Sequence, residues 1–352
     1  MSASRSHRKS PAASEGASPD LSRLLDLVSA FPKQTIALAG DLVLDQFVSG
    51  EISRVSREAP VLILRRRQTH SVPGGGANAL INLSDLGARV LPIGAVGDDA
   101  SGHTLLELFR KKHIDVSGIA RIRGWTTPTK TRYLAGWTHT SEQQVLRVDD
   151  EPQAPVPPPV QKSLTAKLRD RARRANAVLV SDYGFGAAAP SIVKSIGNGK
   201  PATLDSRYAL LDFRGADLSA ATPNESELEA AYGARIGRDA RKLEELGRRA
   251  LEDLRLHALL VTRGRDGMAL FEENQPTRLI SIHGSDEAAD VTGAGDTVIA
   301  VFTLALAASA TYLEAAHLAN FAGGIVVMKR GTATVTRREL EDAVRSAATN
   351  AR

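Results

Sequence analysis

The sequence predicts an α/β protein: a three-layer α/β/α sandwich with a mostly parallel central sheet and a small β excursion. Three observations carry the prediction. Apolar strand-like runs alternate with helix-length segments along most of the chain. Most of these runs end in glycine and polar residues. Two stretches, about 47–70 and 125–148, interrupt the alternation with short β-type segments. Strands that alternate with helices build a parallel sheet covered on both faces.

In chain order, residues 1–20 are rich in Ser, Ala, Pro and charge and predict an unstructured tail. One large domain is expected over 21–352. Leu21, Leu24, Leu25, Leu27 and Val28 have helical spacing. Thr35 to Asp41 reads as a buried strand ending in Gly40-Asp41. Ligands of open α/β sheets sit at the C-terminal ends of strands. Asp41 and Asp45 are therefore candidates for sugar hydroxyls, with turn capping the alternative for each. Pro73-Gly74-Gly75-Gly76-Ala77-Asn78 opens a helix. Its glycines allow close approach, and Asn78 can donate and accept; a plain Gly-rich hinge is the alternative. Arg89 to Val96 predicts a strand and Ser101 to Lys112 a helix.

Thr129 to Tyr133 and Gln144 to Val148 predict two strands, the second part of the β excursion. Lys130 and Arg132 would share a face there and could meet an anion, or discourage edge pairing. Beyond a Pro-rich connector at 151–160, four more strand-like runs end in polar residues: Ser181-Asp182-Tyr183, Asp205-Ser206-Arg207, Asn224 to Glu227, and Thr262-Arg263-Gly264. These motifs should converge on one rim. Met268 to Phe271 and Arg278 to Ile282 predict an edge hairpin. The helix expected over Leu313 to Met328 carries Asn320, Gly323 and Gly324, small enough to leave room for a flat ring or for close helix packing.

Asp290 to Thr297, Asp-Val-Thr-Gly-Ala-Gly-Asp-Thr, is followed by an apolar run. The reading is a glycine loop opening a buried helix. Free N–H groups and the dipole make such an end an anion site, so Gly293, Ala294 and Gly295 are expected to face a phosphate. Asp296 falls in the first turn. A carboxylate beside a phosphate pocket suits a general base that takes the proton of an attacking hydroxyl; the alternative is that Asp296 only favours the helix N-terminus and Gly293 and Gly295 only make a turn. The loop is neither G-x-x-x-x-G-K-[ST] nor G-x-G-x-x-G.

Composition bounds the rest. The chain has 352 residues, no cysteine and a net charge of +5. Absent cysteine excludes disulfides, thiolate metal sites and thiol catalysis, and fits a cytoplasmic setting. The positive residues are interleaved with acids on helix faces, and aromatics are few, so no nucleic-acid partner is expected. The polar N-terminus predicts no signal peptide, and no apolar run is long enough to span a bilayer.

Together these motifs resemble the ribokinase-like, PfkB-type carbohydrate kinases. The matching stretches are GDLVLDQF, SREAPV, PGGGANALINLSDLGA, TKTR, VLVSDYGFG, TPNESELE, LLVTRGRDGM and DVTGAGDTVIAVFTLALAA, covering roughly 35–345. Within that group they are most similar to heptose-7-phosphate kinases. The resemblance implies transfer of the γ-phosphoryl group of ATP to a sugar or sugar phosphate, with Mg²⁺ and in some relatives K⁺. It implies Asp296 as base and Gly293, Ala294 and Gly295 as anion hole. Sugar positions are Asp41, Asp45, Gly75, Gly76, Asn78, Lys130, Arg132 and Asp182. Nucleotide positions are Asn224, Glu227, Thr262, Arg263, Gly264, Thr292, Asn320 and Gly323, and metal positions are Glu227 and Asp290. The β-lid closes the sugar site and is expected to form a homodimer interface.

Two departures stand out. Phe185 occupies the lysine position of Ser-Asp-Tyr-x-Lys-Gly, and Asp205-Ser206-Arg207 replaces Asp-Pro-Lys. Arginine does not substitute for lysine at a point-charge site. The chain ends about 55 residues after Asp296, so the nucleotidyltransferase domain fused to some heptose kinases is not expected here. Rival readings are a fructokinase, ribokinase or nucleoside kinase, a non-catalytic sensor on this fold, and a basic nucleic-acid-binding protein.

Overall fold

The computed structural model describes residues 14–15, 19–136, 142–194, 196, 199–284, 289–329 and 331–350. Most of the tail expected over 1–20 lies outside the described residues. Within it, Ser14–Glu15 (β1) pairs in parallel with the strand Arg278–Ile280.

The first half of the chain supplies α1 (Leu21–Ala30), β2 (Thr35–Gly40), β3 (Leu42–Val55), β4 (Leu62–Gly75), α2 (Gly76–Asp85), β5 (Arg89–Gly97), α3 (Ala100–Lys111) and β6 (Ile119–Ile122). Then come β7 (Thr129–Gly136), β8 (Gln143–Asp150), α4 (Pro158–Arg174), β9 (Ala177–Asp182), α5 (Pro190–Val193), β10 (Ala202–Ser206) and β11 (Ala220–Ala221). The last part holds α6 (Glu225–Tyr232), α7 (Ala240–Leu254), β12 (Ala258–Thr262), β13 (Met268–Glu272), β14 (Arg278–Ile280), α8 (Ala294–Ala307), α9 (Tyr312–Val326) and α10 (Arg337–Asn350).

The main sheet runs β1-β14-β13-β12-β11-β10-β9-β2-β5-β6. Pairing is parallel from β12 through β11, β10, β9, β2 and β5 to β6. The hairpin β13–β14 adds the antiparallel edge. Successive side chains on a strand point to opposite faces. Ile36 and Leu38 join one core with α1, α2, α8 and α9, while Ala37 and Ala39 join the other with α4 and α7. Helix α8 is buried on nearly every side, which its all-round apolar sequence requires.

The expected elements are present with shifted ends. The strand expected near Ala221 is only two residues long, because Asn224 caps α6 and starts that helix early. β6 and α10 are additions to the sequence reading. α10 alternates charge with Leu340 and Val344, which pack into the core.

The second sheet, β4-β3-β7-β8, is the expected excursion. β3 and β7 pair in parallel, with Asp45 beside Lys130 and Phe47 beside Arg132, so these four stand on one face. That face looks onto the C-terminal rim of the main sheet. On the opposite face Leu146 and Val148 are exposed, with Val55, Val61 and Leu62 at the hairpin end.

Candidate active site

Gly293 caps α8 in the left-handed region at φ 79°. An added Cβ there would lie 2.5 Å from Asn78 Nδ2, so only glycine fits. Of the three amides expected to form the anion hole, Ala294 is not free: its N–H donates to Val291 O at 3.2 Å. Among the described residues the amides of Gly293, Gly295 and Asp296 have no protein acceptor. The set of open amides therefore exchanges Ala294 for Asp296, because the loop closes a tight turn before the helix begins.

Asp296 is buried, 3% exposed. Asn78 Nδ2 donates to its Oδ2 at 3.0 Å, and the Tyr183 hydroxyl donates to its Oδ1 at 2.8 Å. Burial pushes its pKa up to about 7; Asn78, Tyr183 and Lys130 oppose the rise, and the Asp45 charge adds to it. The carboxyl thus titrates near neutrality, where a general base works best.

The Asn78 amide nitrogen also donates to Gly293 O at 3.2 Å, and its oxygen accepts from Asn82 Nδ2 at 3.3 Å, so both of its amide hydrogens are used within the protein. Asp41 is also turned inward. Its carboxylate accepts from the amides of Tyr183, Phe185 and Ala187 at 2.8–3.0 Å. Burial and the nearby Asp182 raise its pKa to about 6, while those amides pull it down. Asp182 accepts from the Ser206 hydroxyl at 2.7 Å and the Gly184 amide at 3.0 Å, so it braces the adjacent turn. The strand ends do converge on one rim, but these two carboxylates serve its backbone.

Asp45 is brought to the cleft. It accepts from Arg132 at 2.8 Å and from the Thr332 hydroxyl at 2.8 Å. Gly74 makes this possible, since an added Cβ would lie 2.5 Å from Asp45 Oδ2. Gly75 and Gly76 are buried, and the Gly76 amide donates to Asp41 O at 3.0 Å. Two cavities lie under the inner lid face. One of about 550 Å³ is lined by Phe47, His70, Arg132, Gln144, Asp290, Thr292 and Thr332. The other, about 290 Å³, is lined by Lys130, Arg147, Asp149, Tyr183, Phe185 and Tyr208. Lys130 Nζ lies 5.2 Å from the Tyr183 ring centre. Burial and the neighbouring Arg207 lower the Lys130 pKa.

On the other side of the α8 N-terminus lies a mostly apolar cavity of about 360 Å³. Thr262, Gly264, Asn320 and Gly323 line it as expected, with Gly295, Met268, Val298 and Gly324. Asn320 Nδ2 donates to Ser281 O at 2.8 Å, which fixes the wall. Arg263 does not line it; its guanidinium is held by Glu225 at 2.8 Å. Thr292 lines the lid-side cavity instead, because its amide closes a turn on Asp290 Oδ1 at 2.9 Å. Asn224 is the cap of α6: its Oδ1 accepts the Glu227 amide at 2.8 Å, and Glu227 Oε2 accepts the Asn224 amide at 3.0 Å.

Among the described residues no three His, Asp or Glu side chains converge as a metal cage. The two expected metal positions, Glu227 and Asp290, have different neighbours. Asp290 binds the Thr292 and Gly331 amides, and although burial opposes it, those bonds hold its pKa down. Glu227 instead neighbours Asp205. Burial, then Glu227, Asp296 and Asp182, drive the Asp205 pKa well up, and burial raises Glu227. Two crowded carboxylates with spare oxygens suit a hard cation that keeps waters and takes phosphate oxygens as its other ligands.

Sequence reasoning placed Tyr183, Asp205 and Arg207 at the rim without giving Tyr183 or Asp205 a role, and it missed Arg147.

A sequence profile described as "pfkB family carbohydrate kinase" matches residues 42–339. The bifunctional protein HldE of Mesorhizobium japonicum is 36% identical over 328 residues, covering 90% of this chain and 63% of the relative. That of Geobacter sulfurreducens is 39% identical over 309 residues, covering 86% and 61%. The chain thus spans under two thirds of the length of these relatives. Arabidopsis thaliana ribokinase, solved with ribose and ATP, superposes with a TM-score of 0.70 at 17% identity over 88% of this chain and 98% of its own. Escherichia coli phosphofructokinase-2, solved with potassium, gives 0.73 at 16% over 90% and 99%. At such identity the agreement establishes the ribokinase-like fold.

Proposed function

The chain belongs to the pfkB family of carbohydrate kinases, and from that premise we propose that it transfers the γ-phosphoryl group of ATP to a hydroxyl of a sugar phosphate, heptose 7-phosphate being the acceptor of choice. One observation carries the reading: the buried carboxylate of Asp296 lies in the first turn of α8, next to Gly295 of the apolar cavity and four residues after Thr292 of the lid-covered one. The apolar cavity suits an adenine ring. The polar one, with Asp45, Lys130 and Arg132 at hand, suits hydroxyls and an anion.

In this reading the acceptor hydroxyl sits against Asp296 and attacks the γ-phosphorus in line. Asp296 takes its proton. The open amides of Gly293, Gly295 and Asp296 meet the developing charge without reorganising. Asp205 and Glu227 would hold Mg²⁺, which when bound neutralises phosphate charge. The lid keeps water, the competing acceptor, away from the phosphoryl group.

We also infer that two copies pair through the outer lid face. Leu146 and Val148 are exposed there, and Val55, Val61 and Leu62 are exposed at the hairpin end, apolar side chains that pairing would cover.

The test is ADP release from Mg·ATP against heptose 7-phosphate, fructose, fructose 6-phosphate, ribose and adenosine. Turnover with the heptose phosphate supports the reading. Turnover with another acceptor keeps the chemistry and moves the substrate. ATP binding without turnover on any acceptor would favour a sensor.

A further inference from the structure

The sequence placed Tyr183 in a rim motif without giving it a role, and its hydroxyl lies 2.8 Å from Asp296 Oδ1. We propose that Tyr183 is a positioning residue for Asp296: its hydroxyl holds the carboxylate ionised and fixes its orientation toward the acceptor. The inference rests on the reading of Asp296 as the base.

The ring is held from several directions. The Tyr183 amide donates to Asp41 Oδ2 at 2.9 Å, and the Phe185 and Ala187 amides donate to the same carboxylate, so buried Asp41 pins the turn that carries the ring. The ring edge packs on Gly75, where an added Cβ would lie 3.2 Å from Tyr183 Cε2. Lys130 Nζ and the Arg207 guanidinium lie 5.2 Å and 6.0 Å from the ring centre. A ring so placed cannot swing its hydroxyl off Asp296 without disturbing the β9 turn.

Asn78 holds the other carboxylate oxygen at 3.0 Å. One donor on each oxygen fixes the plane of the carboxylate, and each oxygen keeps a lone pair for the acceptor. Burial and the Asp296 charge push the Tyr183 pKa well above its usual value, so the phenol stays a donor at working pH. A bond donated to the ionised form favours that form. Burial drives Asp296 toward the neutral acid, which cannot accept a proton, and Tyr183 opposes that drive. The other charged groups facing Asp296 are Asp45 on β3, Lys130 on β7 and Asp205 on β10. All three remain when only the phenol oxygen is removed.

The experiment uses Tyr183→Phe, which keeps the ring and its cation contacts. The protein is labelled with ¹³C in the aspartate carboxyls, the Asp296 resonance is assigned with Asp296→Asn, and the midpoint is read by NMR titration. The parent should titrate at about 7. The variant should titrate roughly one to two pH units higher, the worth of one hydrogen bond to a charged group. The acid limb of kcat should move up by the same amount, with KM for ATP unchanged. Fluorinated tyrosine at 183, a stronger donor, should move the midpoint down, and it serves equally if Tyr183→Phe folds poorly. An unmoved midpoint in both proteins overturns the proposal. If the parent phosphorylates no acceptor, the kinase reading fails while the NMR arm still decides the role of Tyr183.

Discussion

Asn78 Nδ2 lies 3.0 Å from Asp296 Oδ2, joining two residues 218 positions apart in the chain. The same nitrogen holds Gly293 O at 3.2 Å. One amide therefore fixes both Asp296, the proposed base, and the loop whose amides are proposed to meet phosphate. Asn78→Asp would set two carboxylates side by side, and like charges at that distance cannot both ionise. Turnover should be lost at neutral pH while the fold is retained. Full turnover at pH 7 would contradict the arrangement.

Asp296→Asn removes the base and keeps the shape. Its kcat should fall by about 10²- to 10⁴-fold. Nucleotide affinity, measured by calorimetry, should be close to the parent's, because the apolar cavity is unchanged.

The pH dependence follows from Asp296, whose pKa is raised to about 7 by burial from an ordinary value of 3.8. The base acts when ionised, so kcat should drop about tenfold per pH unit below that midpoint. Stability should run the other way. Between those two values the folded protein holds a proton that the unfolded chain has released. Stability is therefore greatest in acid on this account, and is lost as pH rises through about 7. Melting temperatures across that window should be flatter for Asp296→Asn.

Gly293→Ala and Gly295→Ala separate two uses of glycine in one loop. At 293 the backbone is left-handed and the new methyl meets Asn78 Nδ2 at 2.5 Å. The strain alone is of order 1–3 kcal/mol, so both melting temperature and kcat should fall. At 295 an added Cβ meets nothing within 4 Å. It enters the space left for phosphate, so KM for ATP should rise while thermal stability holds.

Charging the outer lid face should split the pair of copies. Leu62→Glu with Leu146→Glu places two charges among exposed apolar side chains at the interface proposed above. Light scattering should read a monomer for the variant and a dimer for the parent. A parent that is monomeric at all concentrations would remove that assignment.

The anion loop was legible because glycines next to an all-apolar run can only mean a tight turn before a buried helix. The rim was legible because buried parallel strands must place their polar ends together. The helix α10 and edge strand β6 were not singled out, since a charged amphipathic stretch and a four-residue strand leave weak signals. The roles of rim side chains were less legible. Asp41, Asp182 and Asn224 are types that bind sugars or nucleotides, and here Asp41 and Asn224 accept from backbone amides and Asp182 from the Ser206 hydroxyl and the Gly184 amide. Composition cannot distinguish a carboxylate facing a ligand from one facing three amides.

By itself, then, the sequence determined the layers, the β excursion and the place of Asp296, all of which follow from local periodicity and from the chemistry of a glycine loop. Tertiary structure alone decided that Asn78 and Tyr183 clasp the base, that Asp205 joins Glu227, and that Asp290 stands apart. Those relationships depend on parallel crossovers that bring distant strand ends within hydrogen-bond reach, and no local pattern encodes the direction of a side chain across such a gap.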